Sequence, residues 1–427
     1  MFVKIDAYLC AMRTIAVGLF LFVAQIYLTF RGAHHFSKYW NPLILFLVSA
    51  GIAVLYFKQH GRQTLLREEQ NKPALPWQAL LWTLGGLLTM VLGYEEFRKL
   101  LVEFPDPSQF SDVLPQLEAQ YQRFSRGEMP YAPVPLPTHT PYPVYMPLHW
   151  LPVGAGVLLG LDARWAGYGF LVLACGVYGY WIGRQRAPLA ARIAALFLPS
   201  MGFWGFILWG RLEMAVSFEL VIAAYYLVLA AGLLGRNVAL TALGVILCVL
   251  SRYTLIFWLP VLAFILWQEY PRRVSYAVWG ALAAGILLLY VFPFYLEDPT
   301  IFATGIRYHN DGAVAQWAGF GDPPVSWSME KGIYFGINLK AMLPGDAAQQ
   351  VFLVRVLQAV LMLALTGFGI WAYRRWRGRV DGWSLCLGLL YAAVGCFYFF
   401  SPMTFQYYFL VLFMLSAAVL AGAMPRR

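Results

Sequence analysis

Residues 146–161 read MPLHWLPVGAGVLLGL, and how this run is counted decides the topology of everything after it. It is apolar enough to enter a bilayer but short for a crossing, which takes about 20 apolar residues. Pro147, Pro152, Gly154 and Gly156 also interrupt it. Counted as a crossing, it would carry Arg184, Arg186 and Arg192 to the outer side, whereas basic residues are retained on the cytoplasmic side. We therefore read 146–161 as a helical segment that returns to the outer face from which it came.

Working outward, composition explains why lipid is the expected solvent. Apolar residues make up 60% of the 427-residue chain and charged residues only 12%. A soluble domain is about one-quarter charged, and a chain this apolar would leave large sticky patches in water. The net charge of +10 would suggest nucleic acid in a soluble protein. Here the basic residues lie between apolar runs, so they set orientation and no nucleic-acid partner is expected. Cys10, Cys175, Cys248, Cys386 and Cys396 sit in or beside apolar runs and form no Cys-x-x-Cys pair. A disulfide framework or zinc site is not expected. The first apolar run has no small-residue cleavage site behind it and ends at Arg31, so it reads as a retained helix.

The expected fold is all-α and integral to the membrane. Crossings are predicted at 14–30, 41–57, 77–94, 164–183, 193–209, 214–234, 237–251, 254–270, 274–293, 351–373, 382–400 and 404–422. Lys58, Arg62, Arg67, Lys72, Arg184, Arg186, Arg192, Arg236, Arg272, Arg273, Arg374, Arg375, Arg377, Arg379, Arg426 and Arg427 then share one side. That places both termini in the cytoplasm of a plasma-membrane protein. The long loops 95–163 and 294–350 fall on the outer side and carry most of the acids. Loops of that length are commonly functional. The chain divides into 1–76, two helices with a cytoplasmic linker, and 77–427, a membrane module with both outer loops.

In the first outer loop, Val113, Leu117, Tyr121 and Phe124 recur at helical spacing after Ser111-Asp112. This predicts an amphipathic helix on the membrane surface. Asp112 has two readings: a helix cap, which would stabilise by about 1 kcal/mol, or a carboxylate with a chemical task. Gly127, Pro130-Tyr131 and Tyr145-Met146-Pro147-Leu148 follow. Trp209-Gly210-Arg211-Leu212-Glu213, Ser251-Arg252-Tyr253 with Leu259-Pro260, and Ser401-Pro402-Met403-Thr404-Phe405-Gln406-Tyr407-Tyr408 are all expected at the same outer face.

In order and spacing these segments resemble the membrane glycosyltransferases of the C superfamily, most of all family 87, whose members use polyprenyl-phosphate-mannose. The resemblance covers residues 77–422, with the first two helices as an addition. It departs from the family pattern where Arg211 stands for Gln, Arg252 for Lys, and Tyr407 and Tyr408 for a pair of histidines. The resemblance implies inverting transfer of a hexose, in the first place mannose, from a polyprenyl-phosphate sugar to a lipid or glycan acceptor. Asp112 would be the general base, Arg252 and Arg211 would hold the donor phosphate, and Glu213, Tyr131, Tyr145, His309 and Tyr407 would contact substrate. No cofactor or metal is implied, and membrane lipids surround the chain.

Other readings stay open at this stage. Arg252 could snorkel to the interface. Glu213 could orient Arg211. Glu219 and Arg355 could meet inside the membrane, since such charges usually find partners. In the second loop Arg307, Tyr308, His309, Asp311, Trp317, Asp322, Trp327, Glu330 and Lys331 suit either a sugar surface or an interfacial belt. His34, His35, His139 and His149 read as loop or interface residues. A secondary transporter or flippase is the alternative function, but it would favour inverted repeats and midplane polar groups, which the sequence does not show.

Overall fold

The computed structural model describes residues 2–64, 76–136, 139–185, 187–319 and 327–424. Arg67, Lys72, Arg186, Asp322, Arg426 and Arg427 lie outside the described residues, as do the side chains of Cys10, Arg62 and Trp327. Among the described residues the fold is helical without strands. Every apolar segment expected from the sequence is helical along most of its length. Among the described residues seven helices are long and apolar enough to cross a membrane by length and composition, and several shorter apolar helices lie among them. The chain is a membrane-embedded helical protein.

The first two predicted crossings form an antiparallel hairpin that turns at Ser37, whose φ is 62°. Polar contacts fix the register of its arms. Gln59 donates to Thr14 Oγ1 at 2.8 Å, Gln25 to Ser49 Oγ at 2.8 Å, and Asn41 to the Leu28 carbonyl at 3.1 Å. The hairpin packs on Phe409–Ala423, where Ser416 donates to Gln25 Oε1 at 2.7 Å. Such contacts are worth about 1 kcal/mol each in lipid, so they set register more than they set stability.

Elsewhere small residues let helices approach. Pro76–Val91 lies against Ala163–Arg184 over a long seam. A Cβ added at Gly86 would collide with the Cys175 carbonyl, and one at Gly179 with the Trp82 carbonyl.

The two ends of the bundle differ. At one end Arg236 pairs with Asp381. Glu269 accepts from Tyr373 and from the Gly382 amide there, and Tyr56 donates to the Ser384 carbonyl. The two long loops gather at the other end, where Gly305 lies beside Val144, and the second loop is also tied through Gly332 to Asn41 and through Trp317 to Pro402. This grouping of connections follows the Lys/Arg count.

Residues 146–161 do not make a membrane-length helix. They form Pro147–Trp150 and Val153–Leu158, and the chain then turns at Gly160, whose φ is +66°. The predicted crossing at 214–234 needs correction. A short helix Arg211–Ala215 comes first, the chain breaks at 216–218, and Glu219–Gly235 starts afresh. Glu219 is therefore at a helix start and not one to two turns inside. The two long loops are also more helical than expected: the second contains Ile301–Ala318 and Gly336–Met342.

The Gly86 contact makes a testable claim. Gly86→Leu should cost about 2 kcal/mol or more, as overpacking does. Gly169→Leu should be close to neutral, because nothing lies within 4 Å of its Cβ position. Thermal unfolding of both purified variants checks the contrast.

Candidate functional site

The amphipathic helix of the first loop forms as Val113–Ser125, with Val113, Leu114, Gln116, Leu117 and Gln120 buried. Asp112 occupies its cap position but makes no side-chain cap bond. Ser111 Oγ accepts from the Val113 amide instead, at 3.2 Å. The Asp112 carboxylate turns elsewhere. It accepts from Gln116 Nε2 at 2.8 Å, and His139 Nε2 lies 3.3 Å from the same oxygen. About one-third of the side chain is exposed, at 33%. The capping reading therefore loses its geometric basis.

Two helix ends build the second part. Val238–Val249 ends just before Arg252, and Glu219 begins the preceding helix, Glu219–Gly235. Arg252 Nη1 donates to Glu219 Oε1 at 2.9 Å and Nη2 to Oε2 at 2.5 Å. The Glu219 side chain is 2% exposed and that of Arg252 15%. The Arg252 guanidinium also lies 4.2 Å from the centre of the Tyr408 ring. Tyr408 stacks on Tyr398 with ring centres 5.4 Å apart. The meeting of Glu219 with Arg355 that the sequence left open is not what the structure shows, since Glu219 pairs with Arg252.

These groups lie within electrostatic reach of common neighbours. The Asp112 charge is felt at Tyr145, Tyr308 and Tyr408, and that of Arg252 at Tyr145, Tyr407, Tyr408, His149 and His309. Tyr145, Arg252 and Tyr408 are partly buried, and His309 is more exposed than these. Burial raises the Tyr145 phenol well above its usual range, and Asp112 adds to this. Burial, then Arg355 and Arg252, lower the His309 imidazole to about 4.

Other predicted site residues stand differently. Arg211 donates through Nε and Nη2 to Glu103 Oε2, at 2.8 and 2.5 Å. Glu213 does not orient it. Glu213 is buried with Lys331 Nζ at 3.7 Å. Burial raises its carboxyl above the usual range, against the pull of Lys331. Tyr131 is buried in an aromatic box with Tyr290 and Phe294, at 6.1 and 5.5 Å. Tyr407 is likewise packed, against Phe405 at 5.3 Å, and leaves Tyr408 to face Arg252.

Sequence reasoning missed three participants. His139 approaches Asp112 across the loop. His149 is buried rather than interfacial, with neither ring nitrogen hydrogen-bonded among the described residues. Burial, then Arg252, hold its pKa well below the usual histidine value. Tyr408 was quoted in its motif, but nothing in the string marked it as the residue facing the arginine. Among the described residues no group of three His, Cys, Asp or Glu side chains is arranged to hold a metal.

No protein-family model, no curated protein and no solved structure matches the chain. Function is therefore read from the motifs and from the geometry of these side chains.

The Arg252–Glu219 pair makes a second prediction. Removing one partner of a buried pair strands the other, at a cost of about 3–5 kcal/mol, whereas replacing both is far milder. Glu219→Leu should therefore destabilise more than the double variant Glu219→Leu/Arg252→Met. Denaturation of the single and double variants in one detergent reads the difference.

Proposed function

We propose that the chain is a membrane glycosyltransferase. It transfers a hexose, in the first place mannose, from a polyprenyl-phosphate sugar to a hydroxyl of a lipid or glycan acceptor. The reaction takes place at the outer face of the plasma membrane and inverts the anomeric centre. The observation that supports this reading is that the Asp112 carboxylate makes no cap bond and lies within electrostatic reach of Tyr408, the ring that Arg252 faces.

An acceptor hydroxyl has a pKa far above neutral, so it is a poor nucleophile until a base takes its proton. A positioned carboxylate contributes about 10²- to 10⁴-fold in such a role. In the proposed step the acceptor oxygen bonds to the anomeric carbon as its proton passes to Asp112. The bond from that carbon to the phosphate oxygen breaks, and the lipid phosphate leaves with the electron pair. Direct displacement inverts the centre. The departing phosphate gains negative charge where water is scarce, and fixed positive charge is most effective there. Arg252 supplies a charge that cannot be lost by deprotonation. Glu219 fixes its orientation from behind.

The hydrogen bond from Gln116 to Asp112 holds the carboxylate in one orientation without neutralising it. His139 at the rim is a further neighbour through which a proton can reach solvent.

The test is transfer of labelled sugar from polyprenyl-phosphate-mannose and polyprenyl-phosphate-glucose to extracted lipids and glycans. Wild type should transfer one of them. Folded Asp112→Asn should lose about 10²-fold or more. Equal rates in both proteins would keep the enzyme and remove Asp112 as its base. No transfer from either donor would overturn the glycosyltransferase reading, and uptake into vesicles would then test transport.

A further inference from the structure

Arg374, Arg375, Arg377 and Arg379 sit together where Ala347–Arg375 turns into Gly382–Phe399, at the end of the bundle away from the long loops. The turn is a fixed one. The Trp376 carbonyl accepts from the Arg379 amide at 2.9 Å and from the Val380 amide at 3.1 Å, and Gly378 takes a φ of +81°. Orientation in the membrane accounts for basic residues at this end. The helix dipole favours Arg374 and Arg375 in the last turn of their helix. Neither effect supplies Arg377 or Arg379 with a partner.

Other arginines at this end are held by a neighbour. Arg236 pairs with Asp381. Arg184 donates to the Tyr180 hydroxyl at 2.8 Å. Arg272 lies 5.2 Å from the centre of the Trp267 ring, and Arg374 lies 4.9 Å from that of Phe264. Arg375, Arg377 and Arg379 are exposed, and among the described residues no carboxylate, carbonyl or ring holds them. The acids beside them are already engaged. Asp381 also accepts from the Ser384 amide at 3.0 Å, and Glu269 accepts from Tyr373 and from the Gly382 amide.

An apolar track runs to the same turn. Val360, Ala364, Phe368, Trp371 and Arg375 recur at i, i+4, i+8, i+11 and i+15, so they share one face of their helix. All five are exposed. The Phe368 and Trp371 rings lie 5.7 Å apart and those of Trp371 and Trp376 5.3 Å, so the aromatic row continues from the helix into the turn. A lone tryptophan at a membrane boundary belongs to the ordinary interfacial belt. Here a row of neighbouring rings ends at three unpartnered guanidiniums, which matches a molecule with a hydrocarbon chain and an anionic head. We propose that this helix face and its turn bind an anionic phospholipid. The phosphodiester accepts hydrogen bonds from Arg375, Arg377 and Arg379, and an acyl chain lies along the rings. Guanidinium forks suit phosphate oxygens, and basic clusters beside a membrane helix favour anionic headgroups. On the Lys/Arg reading of the sequence the leaflet is the cytoplasmic one. The proposal stands apart from glycosyl transfer, since this turn and the Asp112 carboxylate lie at opposite ends of the bundle.

The experiment titrates the purified full chain in detergent with dioleoylphosphatidylglycerol, beside dioleoylphosphatidylcholine, and reads bound lipid by native mass spectrometry. The two lipids share their chains and differ in headgroup charge. Wild type should bind its first phosphatidylglycerol about tenfold or more tightly than phosphatidylcholine, and added salt should shrink the difference. Arg375→Gln/Arg377→Gln/Arg379→Gln should lower that preference to about twofold or less. Arg184→Gln/Arg272→Gln/Arg273→Gln removes the same charge from the same end and should keep the preference. Trp371→Ala should weaken both lipids by about threefold or more and leave their ratio unchanged. Equal affinity of wild type for the two lipids would overturn the proposal, and so would full preference in the variant of the turn. The same loss in both triple variants would reduce the site to diffuse attraction and overturn it too. Unchanged affinity in Trp371→Ala would overturn the placement of the acyl chain. If the variant of the turn does not fold, Arg377→Gln and Arg379→Gln alone should each lower the preference by about threefold.

Discussion

In hydrocarbon no water is at hand to satisfy a backbone amide or carbonyl, so every break in a helix must find its partners within the protein. That constraint shapes this chain more than any single side chain. Its apolar segments break at 209–219, 250–259 and 399–409, and all three breaks come to the end where the long loops gather. Each is closed by a distant group. The Leu148 amide donates to the Leu250 carbonyl at 2.9 Å, and the Phe335 amide to the Phe399 carbonyl at 3.0 Å. Arg164 Nη1 donates to the Ala215 carbonyl at 3.2 Å. The loops supply the hydrogen bonds that the broken helices lack.

The same breaks explain how a buried ion pair is tolerated. Glu219 stands at a helix start and Arg252 just past a helix end. A carboxylate at the positive N-terminus and a guanidinium beyond the negative C-terminus are each favoured by about 0.3–1 kcal/mol, and by more when partly buried. The Tyr408 ring adds a favourable contact to the cation, on the order of 1 kcal/mol. Desolvation of the pair is thus offset from several directions. Continuous helices through the same region would supply no free termini to hold the charges.

Helix content and the two-ended distribution of connections were legible in the sequence because both depend on local composition. The hydrophobic runs mark the helices, and the arginines at 236 and 374–379 mark their shared end. Pro147 and Pro152 likewise announced that 146–161 would not be one long helix. Partner choice was not legible. Glu219, Arg252 and Arg355 are all visible as charges beside apolar runs, yet only the packing decides that Glu219 meets Arg252. Arg211 and Glu213 are neighbours in sequence but turn to Glu103 and Lys331. A short helical turn points side chains two residues apart in different directions, so adjacency gave the wrong pairing. His139 was hidden for the opposite reason, since it reaches Asp112 across a proline-rich excursion with no periodicity to follow.

The N-terminal hairpin belongs to this same logic. Its tip is fastened to the second long loop. Asn41 donates to the Gly332 carbonyl at 2.7 Å, Asn338 to the Tyr39 carbonyl at 3.0 Å, and Lys38 to Glu330 at 2.6 Å. Gly332 adopts a φ of +57°, and a Cβ there would stand 2.7 Å from Lys38 Cα, so both conformation and closeness call for glycine. Next in sequence, Lys331 faces the buried Glu213 at the 209–219 break. A few residues on, Phe335 closes the break that precedes Tyr407 and Tyr408. Two helices that contribute none of these site residues therefore hold the loop that meets Glu213 and closes the 399–409 break. Their attachment links the register of the hairpin, set in the membrane by Gln25 and Ser416, to the position of Tyr408 over Arg252.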